Sequence, residues 1–347
     1  MGLRILHTAD WHMDSPFSGF SPERRAWLKS EQRKLPGKIA CLVRRENCDL
    51  VLISGDVFDS PDARESVPLV RQALADCAVP VFIAPGNHDY LSSTSPWLRE
   101  VWPENVHIFA PGLTWVDLPG LDCRVFGAGY RGMESPALLE NFRAAGEARY
   151  QLMVLHGDPQ RPQSPYCPVT GAQVRASGLT YLALGHIHKS GSFSAGDTLC
   201  GWPGCPMGRG FDETGEKGVY LVDMDGTASI RFASLDTPRF YDLEGNAGDL
   251  ENILPPVESQ DFFRLTVTGS GEHSLEDWKA RLPHLEIIDR RQKQEDLWSR
   301  AGEDTLEGVY FRLLRQKLEQ ADPAGMESVL LAAEISRKIL DGGEVAL

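Results

Sequence analysis

Asp49-Leu50-Val51-Leu52-Ile53-Ser54 is a continuous apolar run that stops at Gly55-Asp56. A strand with one face in water alternates apolar and polar residues. A run apolar throughout belongs to a sheet covered on both faces. The same texture recurs along the chain. Arg4-Ile5-Leu6-His7 ends at Thr8-Ala9-Asp10, and Val79-Pro80-Val81-Phe82-Ile83-Ala84 ends at Pro85-Gly86. Tyr150-Gln151-Leu152-Met153-Val154-Leu155 runs into His156-Gly157-Asp158, and Thr180-Tyr181-Leu182-Ala183-Leu184 into Gly185-His186. Residues 21–47 read mostly as helix, interrupted at Pro36-Gly37, and residues 66–78 as a second helix with Leu69, Val70, Ala73 and Leu74 on one face. Ligands of α/β sheets gather at the carboxyl ends of strands, so these five strand ends predict one shared site.

The 347 residues suggest about two domains. Apolar residues at 42% and charged residues at 24% exclude a mainly disordered chain. The net charge of −14 argues against a protein that coats nucleic acid electrostatically, yet suits an enzyme whose acids hold cations. No apolar run approaches the ~18 residues of a membrane span. The start, Met1-Gly2-Leu3-Arg4-Ile5-Leu6, has neither a secretory apolar core nor the Ser or Thr of a myristoylation signal. Seven cysteines without a CxxC pair argue against a disulfide framework or a thiolate zinc site, and predict a reducing cytoplasm.

Beyond Gly191 the texture changes. Residues 192–202, Gly218–Met224 and Ser229–Leu235 read as strands that complete the first sheet system, and Thr237-Pro238-Arg239 as its exit. A strand Phe262–Val267, a helix near Leu275–Arg281 and a strand at Leu285–Ile288 form a small α+β unit. From Gln292 the pattern is helical, with Leu306, Val309, Tyr310, Leu313, Leu314 and Leu318 at helical spacing. A last helix covers roughly 326–340 and stops at Gly342-Gly343. The expected domains are residues 1–236, 237–291 and 292–347.

The strand ends carry Asp10-Trp11-His12, Gly55-Asp56-Val57-Phe58-Asp59, Gly86-Asn87-His88-Asp89, His156-Gly157-Asp158 and Gly185-His186-Ile187-His188. Any one of these is most simply a turn with a satisfied histidine. Five in order, each after an apolar strand, are not five accidents. Imidazole, carboxylate and one amide oxygen without thiolate suit Mn²⁺, Fe²⁺ or Zn²⁺, with Mn²⁺ favoured where oxygen ligands are numerous. Alternate residues of an extended segment point the same way, so Asp10 and His12 are expected to face one ion, and His186 and His188 likewise. Asp59 is either support for a ligating histidine or a helix-start cap near Ser60-Pro61.

This order of motifs resembles the calcineurin-like metallophosphoesterases. The resemblance implies an α/β sandwich, two packed mixed β-sheets flanked by helices, with a small α+β cap and C-terminal helices. It also implies two divalent metal ions clamping a phosphoester. One would be held by Asp10, His12 and His188, the other by Asn87, His156 and His186, with Asp56 bridging them. His88 would face the phosphate or leaving oxygen, and Asp89 would orient His88 or tune its charge.

The stretch His7–Phe17 looks like the SbcD/YhaO-type DNA repair exonucleases. Gly201-Trp202-Pro203-Gly204-Cys205-Pro206-Met207-Gly208-Arg209-Gly210-Phe211 and Glu213–Val219 resemble the segment after G-H-x-H in the same enzymes, which often have Tyr and Ser where this chain has Trp202 and Cys205. That branch implies a Mn²⁺-dependent DNA nuclease of repair, an SbcC-type ATPase partner of the SMC class, and compatibility with a homodimer. The alternatives are a phosphodiesterase or phosphatase for a small nucleotide or other phosphoester, or a largely non-catalytic subunit that regulates the ATPase. The C-terminal apolar stripe either docks on the partner or packs internally. Arg24, Arg25, Lys29 and Arg33, in a basic run reaching Arg45, either contact DNA phosphates or form a solvated helix face.

Overall fold

Ile5 and Leu6 point to opposite faces of one strand, and both are fully buried. That pairing explains the continuous apolar runs. A computed structural model describes residues 2–254, 259–269, 275–291 and 297–340 of the chain. In chain order its strands are β1 (Leu3–Thr8), β2 (Leu50–Ile53), β3 (Val81–Ile83), β4 (Val106–Ile108), β5 (Thr114–Leu118), β6 (Cys123–Ala128), β7 (Tyr150–His156), β8 (Tyr181–Gly185), β9 (Gly191–Ala195), β10 (Thr198–Trp202), β11 (Gly218–Asp225), β12 (Thr227–Ser234), β13 (Phe240–Asn246), β14 (Phe262–Thr268) and β15 (Leu285–Asp289). The helices are α1 (Pro22–Arg45), α2 (Val67–Asp76), α3 (Pro96–Arg99), α4 (Gly171–Ala176), α5 (Leu250–Ile253), α6 (Glu276–Arg281), α7 (Leu306–Gln320) and α8 (Pro323–Leu340).

Two six-stranded mixed sheets carry the architecture, in the orders β12-β11-β1-β2-β3-β4 and β5-β6-β7-β8-β10-β9. Strands β1 to β4 are mutually parallel, and β11 runs antiparallel beside β1, with Leu3 opposite Met224. In the second sheet β6, β7, β8 and β10 are parallel and the two edge strands antiparallel. The fold is the expected α/β sandwich. Ile5, Leu50 and Leu52 of the first sheet meet Val125, Leu152 and Tyr181 of the second in one core. Leu6, Val51 and Ile53, on the other face, pack against Leu28, Leu35 and Ile39 of α1 and Val70 and Leu74 of α2. Phe126, Met153 and Leu182 form the outer face of the second sheet, with Val174 of α4. A third sheet has the order β13-β14-β15.

Two compact units result. The first comprises Met1–Leu243, Pro256–Leu265 and Glu276–Glu286, and the second Glu244–Pro255, Thr266–Leu275 and Ile287–Leu347. Phe240 and Phe262, beyond the expected boundary after residue 236, stack at 4.7 Å in a core of the first unit. In the second unit Phe311 and Ala333 are fully buried, with Ala301 and partly buried Leu297, Trp298 and Leu314 around them.

One helix expectation is corrected: α1 is continuous through Pro36. Proline removes one helical hydrogen bond, but Leu35, Pro36, Ile39 and Ala40 are all buried, and that packed face holds the helix together. Strands β4, β5, β6 and β13 are not legible from the sequence. The first is only three residues long, and β5 and β13 carry exposed polar positions such as Asp117 and Glu244. Residues 192–202 fold as the hairpin β9–β10 rather than one strand. The start of the C-terminal pattern at residues 292–296 and the stop at Gly342-Gly343 lie outside the described residues. Among the described residues, no helix is long and apolar enough to cross a membrane.

Candidate metal centre

The carboxyl ends of β1, β2, β3, β7 and β8 converge, and each releases its motif there. Asp10, His12, Asp56 and His186 have positive φ, at 54°, 45°, 51° and 90°. This corrects the expectation of alternating extended residues. Asp10 and His12 are brought to one side by left-handed turns, a conformation costly for non-glycine residues and concentrated at functional sites. The approach is close enough to require glycine at two positions. A Cβ on Gly86 would lie 2.3 Å from Asp56 Oδ1, and one on Gly185 2.0 Å from the Ser54 carbonyl.

The donor atoms of Asp10, His12 and His188 all lie within 4.8 Å of one another, as do those of Asp10, Asp56 and His156. Asn87 Oδ1 is 2.8 Å from His156 Nε2 and 3.2 Å from His186 Nδ1. Asp56 Oδ2 sits between the two groups, 3.3 Å from His156 Nε2 and 3.8 Å from His12 Nε2. All seven side chains expected as ligands are thus in one cluster. His88 joins it, its donor atom within the same reach of His12 and Asp56.

The proton arrangement shows what this cluster can hold. His12 Nδ1 faces Asp59 Oδ1 at 2.9 Å, and His188 Nδ1 faces Glu213 Oε1 at 2.7 Å. Carboxylates only accept, so both Nδ1 atoms donate, and with both rings neutral both Nε2 atoms carry lone pairs. Those Nε2 atoms face each other at 3.2 Å. His156 Nδ1 donates to the Ser54 carbonyl at 2.9 Å, so its Nε2 lone pair faces the Asn87 oxygen. Lone pairs held this close repel, and a cation between them removes the repulsion. The residues fit a pair of divalent ions. Burial lowers the His12 pKa despite Asp59 and Asp56 nearby, and burial with the neighbouring His156 pushes His186 down to about 4. Neutral imidazole is the form that binds metal.

Further residues hold the cluster from outside. Asp59 lies against His12, and no helix starts beside it at Ser60-Pro61. Asp89 does not orient His88 by a hydrogen bond, the first of its two expected roles. Its fully buried carboxylate accepts from the amides of Gly86 (2.7 Å), Val57 (2.9 Å), Asp56 (3.2 Å) and Phe58 (3.4 Å), while His88 Nδ1 faces the Asp59 carbonyl at 3.3 Å. Burial, with the Asp56 charge close by, pushes Asp89 up to about 6. Its work is to hold two motif loops together through their backbone. Sequence reasoning assigns no role to Arg209 or Glu213, although it picks out their segment. Arg209 Nη1 donates to Asp59 Oδ1 at 3.1 Å and Nη2 to Glu213 Oε1 at 2.7 Å. Burial raises the Glu213 carboxyl, but hydrogen bonds from His188 and Arg209 outweigh it and hold the group well below the usual carboxylate range.

Within the first unit a cleft of about 860 Å³ opens over His88, Asp59, Arg209 and Glu213, walled by Phe17, Phe20, Phe211 and Arg264. The expected DNA-contact residues lie on α1. Arg24 is paired with Glu286 (2.8 Å) and Arg33 with Glu65 (3.0 Å), while Arg25 donates to the Phe20 carbonyl and Lys29 is half-buried.

The sequence profile of the calcineurin-like phosphoesterases matches residues 3–190. The chain is 32% identical over 253 residues to "Uncharacterized metallophosphoesterase YhaO" of Bacillus subtilis, covering 66% of this chain and 60% of that protein. It is 26% identical over 265 residues to the SbcD component of the nuclease SbcCD of the same organism, covering 64% of this chain and 66% of that one. The match to the "DNA double-strand break repair protein Mre11" of Aeropyrum pernix is 27% over 366 residues, covering 99% of this chain and 82% of that one. The chain therefore spans less than two thirds of the first two relatives. All five strand-end motifs fall inside the matched segment, and the chain belongs to the calcineurin-like phosphoesterase family.

Proposed function

We propose that this phosphoesterase is a Mn²⁺-dependent dimetal phosphodiesterase that cleaves DNA in repair, together with an SMC-like ATPase. The observation that carries the dimetal part is the pair of facing lone-pair junctions, His12 with His188 and His156 with Asn87, with the Asp56 carboxylate between them. On this reading Asp10, His12 and His188 hold one ion, Asn87, His156 and His186 the other, and Asp56 touches both. When bound, such a pair neutralises an anionic phosphodiester and lowers the pKa of a water beside it. His88, half-exposed at the cleft, donates a proton to the leaving oxygen. Three of the seven donors are oxygens, from Asp10, Asp56 and Asn87, and they support Mn²⁺ beside four imidazoles that Fe²⁺ or Zn²⁺ would also suit.

The DNA part is supported by the names of the relatives and by the cleft, where the partly exposed Phe20 and Phe211 offer stacking surface. Residues 1–236 would form the phosphoesterase domain, 237–291 a DNA-facing cap and 292–347 the helices that meet the ATPase. A homodimer is compatible with this assignment. All seven cysteines are free, which supports a reducing cytoplasm. One observation favours a small phosphoester instead: Asp59, Asp212, Glu213 and Glu286 also line the cleft. A Mn²⁺ assay comparing end-labelled DNA with bis-p-nitrophenyl phosphate separates the two. A nuclease degrades both. A chain that hydrolyses only the small diester is not a nuclease.

A further inference from the structure

The two sheets deliver His12 and His188 from opposite sides, His12 after β1 of the first and His188 after β8 of the second. Any slip of one sheet against the other would pull these imidazoles apart. The segment joining the sheets here is the crossover from β10 to β11, residues 203–217, and it carries Arg209 and Glu213. One guanidinium spans the gap. Arg209 Nη1 reaches Asp59 Oδ1 (3.1 Å), whose oxygen holds His12 Nδ1 (2.9 Å). Arg209 Nη2 reaches Glu213 Oε1 (2.7 Å), whose oxygen holds His188 Nδ1 (2.7 Å). The amide of Arg209 also donates to Glu213 Oε2 at 2.8 Å, which fixes that carboxylate from a second direction. The circuit therefore runs His12, Asp59, Arg209, Glu213, His188, and closes where the two Nε2 atoms meet at 3.2 Å.

We propose that Arg209 is a positioning residue that locks this circuit. It sets the Nδ1–H tautomer and the ring planes of both histidines of one ion site, with Glu213 as its obligatory partner. The inference rests on the dimetal reading and adds an asymmetry to it. The His12 and His188 imidazoles are backed by carboxylates, which raise ligand basicity, and the guanidinium holds those carboxylates and so the ring orientations in place. His156 is backed by the Ser54 backbone carbonyl, which does not depend on the crossover. Loss of Arg209 therefore unbalances the two sites instead of emptying both. Lysine is no substitute: a guanidinium forks to two carboxylates in fixed geometry, and an ammonium does not.

The test is calorimetric titration of metal-free, full-length protein with Mn²⁺ alone, paired with electron paramagnetic resonance of the loaded protein. Wild type binds two ions and shows the signal of a spin-coupled pair. Arg209→Met keeps one ion at wild-type affinity and binds the other roughly 10–100-fold more weakly. At one equivalent it shows an isolated Mn²⁺ signal, and Arg209→Lys regains only part of the loss. Glu213→Gln, nearly isosteric, shows the same one-sided weakening and serves if Arg209→Met does not fold. Two ions at wild-type affinities, with an unchanged coupled signal, in whichever of these variants is folded would overturn the inference while leaving the dimetal reading intact. Wild-type protein that binds fewer than two ions would overturn that reading and the inference with it.

Discussion

The backbone amide of His88 donates to the Asp56 carboxylate across 2.8 Å. The proposed proton donor and the proposed shared ligand are thus fixed to each other through main chain, not through the imidazole. His88→Asn keeps that amide. Metal stoichiometry should stay at the wild-type value while kcat falls by about 10²–10⁴. Loss of an ion in this variant would make His88 a ligand, a role its place beside His12 and Asp56 would allow.

Asp56→Asn removes the charge of the carboxylate whose Oδ2 lies between His12 Nε2 and His156 Nε2. Two cations without a shared negative charge repel, so both occupancies should fall and hydrolysis with them. Elemental analysis after dialysis against Mn²⁺ reads this directly. Retention of two tightly bound ions would remove Asp56 from the position between them.

His7 is wholly buried, with Nδ1 2.7 Å from the Tyr181 hydroxyl and Nε2 2.9 Å from Ser54 Oγ. Burial pushes its pKa down to about 3 from 6.5, against the opposing pull of the Leu184 carbonyl. Between these values the unfolded chain binds a proton that the folded chain does not. The contribution is whole above pH 6.5 and is lost as pH falls towards 3, a span on the order of 5 kcal/mol. His7→Gln does not titrate. In urea unfolding of metal-free protein, its stability loss from pH 7 to pH 4.5 should be smaller than wild type's by about 2.5 kcal/mol. Equal losses would contradict the assignment.

In the C-terminal helices the apolar stripe divides. Leu313 is 55% exposed, beside Leu306, Val309 and Tyr310 along a groove with Ile339 and Leu340, whereas Phe311 is fully buried. Leu313→Asp should shift stability by no more than about 0.5 kcal/mol, and Phe311→Ala should cost about 3–5 kcal/mol. If the groove meets an ATPase, Leu313→Asp also abolishes co-purification of that partner. A collapse of thermal stability in Leu313→Asp would place the stripe in a core.

Fold class and the ligand cluster are legible in the sequence because both rest on local signals. Leu50–Ile53 is apolar at every position since both faces of its strand are covered, and each ligand sits within a few residues of such a strand's end. What escapes depends on distance or on backbone shape. The link of Arg209 to Asp59 joins residues far apart in sequence, and no spacing rule brings them together. Strand alternation would make Asp10 and His12 converge, yet they do so through positive φ, which residue type alone does not reveal. Asp89 escapes for a related reason: a buried carboxylate next to a histidine in sequence turns instead to four backbone amides. Pro36 fails as a helix breaker because tertiary burial outweighs a local cost.

The pairing of β1 with β11 sets Leu3 opposite Met224. A chain emerging from a ribosome can lay β2, β3 and β4 beside β1 early, but the other edge of β1 stays open until β11 is made. Closing so long a loop makes for high contact order and slow folding. Until then, the strand that leads into Asp10 and His12 presents unpaired backbone groups, a template for association with other chains. That inner strand of the first sheet is therefore among the last to be sealed, and fragments ending before residue 218 should need a chaperone or aggregate.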